Sequence, residues 1–422
     1  IRLDPIPVRA YPEGSLAAHL LGFVNAEPKA FYGVEKYYDD YLRGEVTFDL
    51  SRRGKPLAQL GVRFEQNASP DGANDLILTI DRAIQYVVEA ELREAIARTG
   101  ADGGTVVVMD PKTGAILASA SYPTYEPARY AEYPFTTWDD PAVSGQYEPG
   151  SIFKIITMAA GLNTGLIRPT DTYYDAGFIE VGDKKIWNLN RQAYGLVDMQ
   201  DVLIHSLNVG TARVSRLLGP ENFYPYLERF GFGKKTGVDL AGEVAGTVRW
   251  PGDPSWHELD LATNSFGQGI AVTPVQMASA VCAVANGGLL MQPHVVAGRI
   301  SNGWALEVDP QPVLRVIDED VARTLTEMLV RAVDEGATLA RAPGYSVAGK
   351  SGTAEIANEA GYNDVIAGFV GYLPASDPAL VILVKIVRPR GETLGARVAG
   401  PVFSRIARQL VAMEGIPPDR EG

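Results

Sequence analysis

Thr105-Val106-Val107-Val108-Met109 and Ala115-Ile116-Leu117-Ala118, joined by Asp110-Pro111-Lys112-Thr113-Gly114, read as two apolar strands around a turn. Valine and isoleucine suit a buried pleated surface, and the Asp-Pro opening with its closing glycine carries turn chemistry of its own. Working upstream, Leu76-Ile77-Leu78-Thr79-Ile80 is a further strand signal. Asp81 then stands where a helix cap belongs. In that helix Ile84, Val87, Val88, Leu92 and Ile96 recur on one face, and Gly100 ends it. Strands return late, at Tyr345 to Gly349, Val365 to Leu373 and Ala379 to Val387, before a last helix from about Gly400 to Met413. Between about Gly150 and Gly288 the pattern is mainly helices and loops. These elements predict an α+β fold: one antiparallel sheet assembled from both ends of the domain, flanked by helices and carrying an all-α insertion. The first and last helices would share one sheet face.

Composition narrows the function. The chain has 422 residues, 38 basic and 51 acidic, for a net charge of −13, and 46% of it is hydrophobic. That is a globular composition, long enough for two or three domains. Its acidity excludes nucleic acid as a partner, which would require clustered basic residues. Cys282 is the only cysteine, so no intrachain disulfide and no cysteine-built zinc site can form. The scattered His19, His205, His257 and His294 offer no metal-ligand spacing, and no metal is expected. No run approaches the roughly 20 apolar residues that span a bilayer. The chain opens at Ile1-Arg2-Leu3, without methionine, which suggests a processed piece with an upstream segment missing. Through the first eighty residues Pro5, Pro7, Pro12, Pro28, Pro56 and Pro70 interrupt every pattern, as in an irregular, extended module.

Three short motifs carry the chemistry. Pro149-Gly150-Ser151-Ile152-Phe153-Lys154 starts an apolar helical stretch, and residues three apart share a helical face, so the Ser151 hydroxyl and Lys154 amine can meet. A hydroxyl attacks only when a base takes its proton, and lysine is a base only where burial or a nearby cation lowers its pKa. By itself a Ser-x-x-Lys quartet arises about once by chance in a chain this long. His205-Ser206-Leu207-Asn208 supplies a hydroxyl for proton relay and an amide for a peptide carbonyl, although serine and asparagine are also ordinary helix caps. Lys-(Ser/Thr)-Gly occurs three times. Lys112-Thr113-Gly114 and Lys235-Thr236-Gly237 fall in turns. Lys350-Ser351-Gly352 instead continues a strand and runs into Thr353-Ala354-Glu355, where a lysine and hydroxyls on an edge strand can cradle an extended substrate ending in a carboxylate. Gly352 allows close approach. The order of the motifs supplies the specificity that each lacks: Ser206 follows Ser151 by 55 residues and precedes Lys350 by 144.

With these motifs the chain resembles a class B penicillin-binding protein, a monofunctional peptidoglycan D,D-transpeptidase. Further matches are Arg9-Ala10-Tyr11-Pro12, Gly33-Val34-Glu35, Leu42-Arg43-Gly44, Glu148-Pro149-Gly150-Ser151, Phe266-Gly267-Gln268-Gly269, Thr273-Pro274 and the stretch Gly349 to Glu355. The resemblance implies a penicillin-binding, serine β-lactamase-like transpeptidase domain over residues 79–422 and part of a dimerisation-type pedestal over 1–78. Ser151 would be the nucleophile, Lys154 its base, and Ser206 with Lys350 the proton shuttle. Asn208 would hold the peptide backbone, Ser351 and Thr353 the terminal carboxylate beside Gly352, and the amides of Ser151 and Thr353 the oxyanion. The implied partners are peptidoglycan stem peptides, β-lactam antibiotics and a membrane-embedded glycosyltransferase. No cofactor is implied. A single-pass anchor outside this chain would leave the catalytic domain on the extracytoplasmic side of the cell membrane.

Rival readings are a serine β-lactamase, a D,D-carboxypeptidase and a penicillin-sensing receptor. The first lacks its Glu-x-x-Leu-Asn pattern here, Trp187-Asn188-Leu189-Asn190 being the nearest; the second differs only in using water as acceptor; the pedestal-like segment disfavours the third. Cys282 reads as a small core residue, and Asp318-Glu319-Asp320 as the solvated first turn of a helix.

Overall fold

The computed structural model describes residues 8–45, 55–56, 73–301, 304–358 and 361–420. Its centre is a five-stranded antiparallel sheet of β1 (Gly103–Met109), β2 (Ile116–Tyr122), β3 (Ala348–Asn358), β4 (Gly361–Leu373) and β5 (Leu380–Val387). The order is β3-β4-β5-β1-β2, so the quoted hairpin forms one edge and the strand bearing Lys350 the other. Alternation sends Val107, Met109 and Leu383 into one core and Val106, Val108 and Val384 into a second. With both faces covered, these strands read as unbroken apolar runs.

The helices that bear on the site are α1 (Arg82–Thr99), α2 (Lys154–Asn163), α3 (Asn208–Leu218), α4 (Pro274–Ala285), α5 (Glu319–Arg331) and α6 (Gly395–Met413). As expected, Asp81 starts α1, accepting from the amides of Ala83 and Ile84 at 2.8 and 2.9 Å, and Gly100 ends it at φ +60°. Ile84, Val88 and Leu92 share a core with Val402, Phe403 and Ile406, so α1 and α6 do lie together on one face. The opposite face carries α2, α4 and α5, whose Ile155, Val281 and Leu325 join the larger core. Cys282 is buried there, and Glu319 and Asp320 are exposed in the first turn of α5.

Three differences from the sequence reading have physical causes. The last helix begins at Gly395, earlier than expected, because burial of Val398 and Ala399 overrides the poor propensity of Gly395, Gly400 and Pro401. The edge strand bearing Lys350 continues through Ser351 and Gly352 as expected but starts at Ala348 and not at Tyr345, because the Tyr345 amide closes a turn onto the Ala342 carbonyl at 3.0 Å. The helical insertion also holds two small antiparallel pairs, Thr172–Asp175 with Gly195–Asp198 and Phe178–Val181 with Lys184–Trp187. Their exposed Tyr174, Lys184 and Lys185 hide the strand pattern.

Of the segment before residue 79, stretches 1–7, 46–54 and 57–72 lie outside the described residues, and the extended-module expectation falls partly on them. The rest is bound to the remainder of the molecule. Phe23 stacks on Tyr130 at 4.1 Å, the Tyr38 hydroxyl donates to Asp239 at 2.8 Å, and strand Asp75–Leu78 pairs with Val296–Ser301. Among the described residues no helix is long and apolar enough to cross a membrane.

Removing the α1 cap should leave two amides unpaired. Asp81→Ala is expected to cost about 1 kcal/mol, read as a lower midpoint in urea unfolding.

Candidate active site

Ser151 stands on a 3₁₀ turn, Gly150–Phe153, that leads into α2. The turn is pressed between two backbones. Behind it, the Gly150 amide donates to the Gly267 carbonyl at 3.1 Å, and the Gly269 amide to Glu148 Oε1 at 2.9 Å. Gly267 has φ +77°, and a Cβ there would come within 2.2 Å of the Gly150 carbonyl oxygen. In front, a Cβ on Gly352 would come within 2.9 Å of the Pro149 carbonyl oxygen. Only glycine permits either approach.

Beneath this turn the three motifs meet. Lys154 is fully buried; its Nζ donates to the Ser206 carbonyl at 2.5 Å and to Asn208 Oδ1 at 2.8 Å, and lies 3.3 Å from Ser206 Oγ. Lys350, 3% exposed on β3, donates to the same Ser206 Oγ at 3.0 Å and to the Ser351 carbonyl at 3.1 Å. Ser206 is held at φ +56°, a left-handed conformation that non-glycine residues adopt only when their surroundings impose it. The side-chain amide of Asn208 donates to the Trp187 carbonyl at 3.0 Å, and Asn188 Oδ1 accepts from the Val209 amide at 3.1 Å. Asn188 is itself fixed by Asp175 at 2.7 Å.

Neither amine has a carboxylate partner among the described residues. Burial, and then the neighbouring Lys350 charge, hold Lys154 well below the usual lysine value of 10.5. Burial alone pulls Lys350 down to about 8. A neutral amine has two N–H bonds and one lone pair. The two short acceptors, Ser206 O and Asn208 Oδ1, use the N–H bonds of Lys154 and leave its lone pair free to take a proton. Ser206 Oγ, accepting from Lys350, keeps its own hydrogen to pass on.

The structure thus joins Lys154, Ser206, Asn208 and Lys350 in one hydrogen-bonded cluster. Ser151 sits half-buried beside it, but its hydroxyl has no hydrogen-bond partner among the described residues. The Ser151–Lys154 hydrogen bond expected from helical spacing is therefore not made, because the amine turns to the Ser206 carbonyl and Asn208 Oδ1 of the second motif. Thr353 Oγ1 accepts from the Gly395 amide at 3.0 Å, which leaves its O–H free for an anion. Of the other two Lys-Thr-Gly sequences, Lys112-Thr113-Gly114 lies in a turn, where Lys112 pairs with Asp377, whereas Lys235-Thr236-Gly237 is irregular chain just past the turn at 231–233, where the Thr236 and Gly237 amides donate to Glu243. The bracing by Gly267 and Gly269 has a signal in the Gly-x-Gly spacing. That of Asp175 and Asn188 has none, since it depends on contacts distant in sequence.

The chain belongs to the penicillin-binding protein transpeptidase family, whose "Penicillin binding protein transpeptidase domain" matches residues 104–408. It is similar to stage V sporulation protein D of Bacillus subtilis, 36% identical over 97% of this chain and 65% of that protein. It also resembles the peptidoglycan D,D-transpeptidase FtsI of Escherichia coli, 31% identical over 97% of this chain and 68% of the other. It therefore spans about two thirds of the length of these curated relatives. Among solved structures, penicillin-binding protein 3 of Mycobacterium tuberculosis superposes with a TM-score of 0.85 at 30% identity, covering 98% of this chain and 92% of that one.

The buried Lys350 sets a pH dependence. Its amine is charged in the unfolded chain up to 10.5 but in the folded one only to about 8, so the unfolded state holds more protons across that window and folding stability rises with pH there. Lys350→Met removes this slope. Relative to wild type it should be most stable at or below pH 8 and lose that advantage toward pH 10.5, as measured by urea unfolding at a series of pH values.

Proposed function

We propose that this chain is the catalytic part of a peptidoglycan D,D-transpeptidase acting through a serine acyl-enzyme. The observation that carries this reading is the convergence of Lys154 and Lys350 on Ser206 Oγ beneath the Ser151 turn. Ser151 Oγ attacks the carbonyl between the two terminal D-alanines of a stem peptide, and its proton passes to the neutral Lys154. Backbone amides of Ser151 and Thr353 receive the oxyanion. The C–N bond then breaks; Ser206, with Lys350 beside it, returns the proton to the departing D-alanine amine, leaving an ester on Ser151. The amine of a second stem peptide attacks that ester, forms the cross-link and restores the hydroxyl. Asn208 aligns the peptide backbone, and Ser351 and Thr353 bind the terminal carboxylate next to Gly352. The chemistry uses no metal or cofactor.

β-Lactams are substrates of the same first step. Structures of the Mycobacterium tuberculosis relative complexed with aztreonam and with ampicillin support this part of the reading. In the full protein we place residues 1–78 in a pedestal and residues 79–422 in the transpeptidase domain. A single membrane anchor and a membrane-embedded glycosyltransferase partner complete the proposal.

Intact-mass measurement after incubation with a fluorescent penicillin tests it. Wild type should gain one stable adduct and Ser151→Ala none. An adduct that forms and is lost within minutes points to a β-lactamase instead, and no adduct on wild type overturns the reading.

A further inference from the structure

Gly352 on β3, Gly368 on β4, Lys385 on β5, Thr105 on β1 and Ser121 on β2 stand opposite one another in successive strand pairs, a single row across the whole sheet. The two glycines let the nucleophile turn settle onto the sheet: a Cβ at either would meet Ile152 at 2.9 Å. Next in the row, on the same face, stands a lysine. Lys385 is 6% exposed, and its Nζ lies 4.8 Å from the centre of the Tyr147 ring, four residues before Ser151. Its Nζ makes no hydrogen bond among the described residues. Facing it in charge is Asp140, 3% exposed, whose Oδ1 caps the short helix Pro141–Ser144 and whose Oδ2 has no hydrogen-bond partner among the described residues. The Tyr147 hydroxyl is likewise buried, with no hydrogen-bond partner among the described residues. Asp140, Tyr147 and Ser151 belong to one continuous segment, pinned at Tyr147 by paired backbone bonds to Val272 of 3.0 and 2.9 Å.

A lysine is not needed here for packing. The residues two and four positions earlier on the same face of β5 are Leu383 and Val381, both core residues. Burying an ammonium without a direct carboxylate contact is costly, and apolar side chains of similar volume commonly replace a buried ion pair as a whole at no loss of stability. Burial draws Lys385 down to about 8 and raises Asp140 to about 6, so near pH 7 both keep their charges and attract one another. The cation also attracts the face of Tyr147.

We propose that Lys385 is a positioning residue for the Ser151 nucleophile: its buried charge, acting on Asp140 and the Tyr147 ring, holds the segment that ends at Ser151 down on the sheet. The inference rests on Ser151 being the acylated residue. It concerns how that residue is placed and assigns Lys385 no contact with substrate.

Stopped-flow acylation by a fluorescent penicillin separates the initial dissociation constant from the acylation rate constant. Lys385→Met should lower the acylation rate constant of the folded protein at least tenfold, with the dissociation constant changed by less than twofold. Asp140→Asn/Lys385→Met, which removes both charges and leaves neither unpaired, should fold and show the same rate loss even where the single variant does not fold. Wild-type rates in the double variant, or loss of stability with an unchanged rate in the folded fraction, overturn the proposal. Wild type and Ser151→Ala run alongside keep the two readings apart. Absence of wild-type labelling overturns the acylation reading and this inference with it, whereas normal wild-type labelling with unaltered variants overturns this inference alone.

Discussion

Two amines share one hydroxyl oxygen with no carboxylate beside them among the described residues. Lys154 and Lys350 both reach Ser206 Oγ, at 3.3 and 3.0 Å, from a helix and a strand that are buried almost completely at that point. Two ammonium groups in such a place repel one another and have lost their water, so the stable arrangement is one in which protons leave. The rest of the molecule can be understood as the apparatus that enforces this. The sheet supplies Lys350, the helical insertion supplies Lys154 and Ser206, and the cores on the two sheet faces fix their separation.

Enforcement has a conformational cost that is concentrated at the site. Ser206 is held in the left-handed region, Gly150 and Gly267 also have positive φ, and backbones approach where any side chain would collide. The hydrogen bonds that brace this region come from outside the motifs, through Gly267 and Gly269 behind the Ser151 turn and Trp187 and Asn188 around Asn208. A site assembled from three distant segments thus depends on a second ring of residues that touch no reacting atom.

Much of this was legible in the sequence because local physics was unopposed. Val106 to Met109, the Asp81 cap and the Gly100 terminator each did what their chemistry favours, and both central helices and the sheet followed. The third Lys-(Ser/Thr)-Gly could be told from its two decoys because only it continued a strand. The start of α6 was hidden because glycine and proline weaken helix propensity while packing decides otherwise. Helical spacing suggested that Lys154 would bond Ser151, whereas the amine is taken by acceptors 52 and 54 residues away, a competition that no local pattern records. Lys385 was invisible as a site residue for a similar reason: only strand register reveals that it lies in line with Gly352.

The central claim is that Lys154 is uncharged, as the proposed role of base to Ser151 requires. Carbon-13 NMR of protein labelled at lysine Cε, with the Lys154 signal assigned by its absence in Lys154→Arg, follows that amine directly through a pH titration. The account predicts that Lys154 loses its proton well below the ordinary lysine value of 10.5. A signal that remains in the ammonium form up to that value would contradict it.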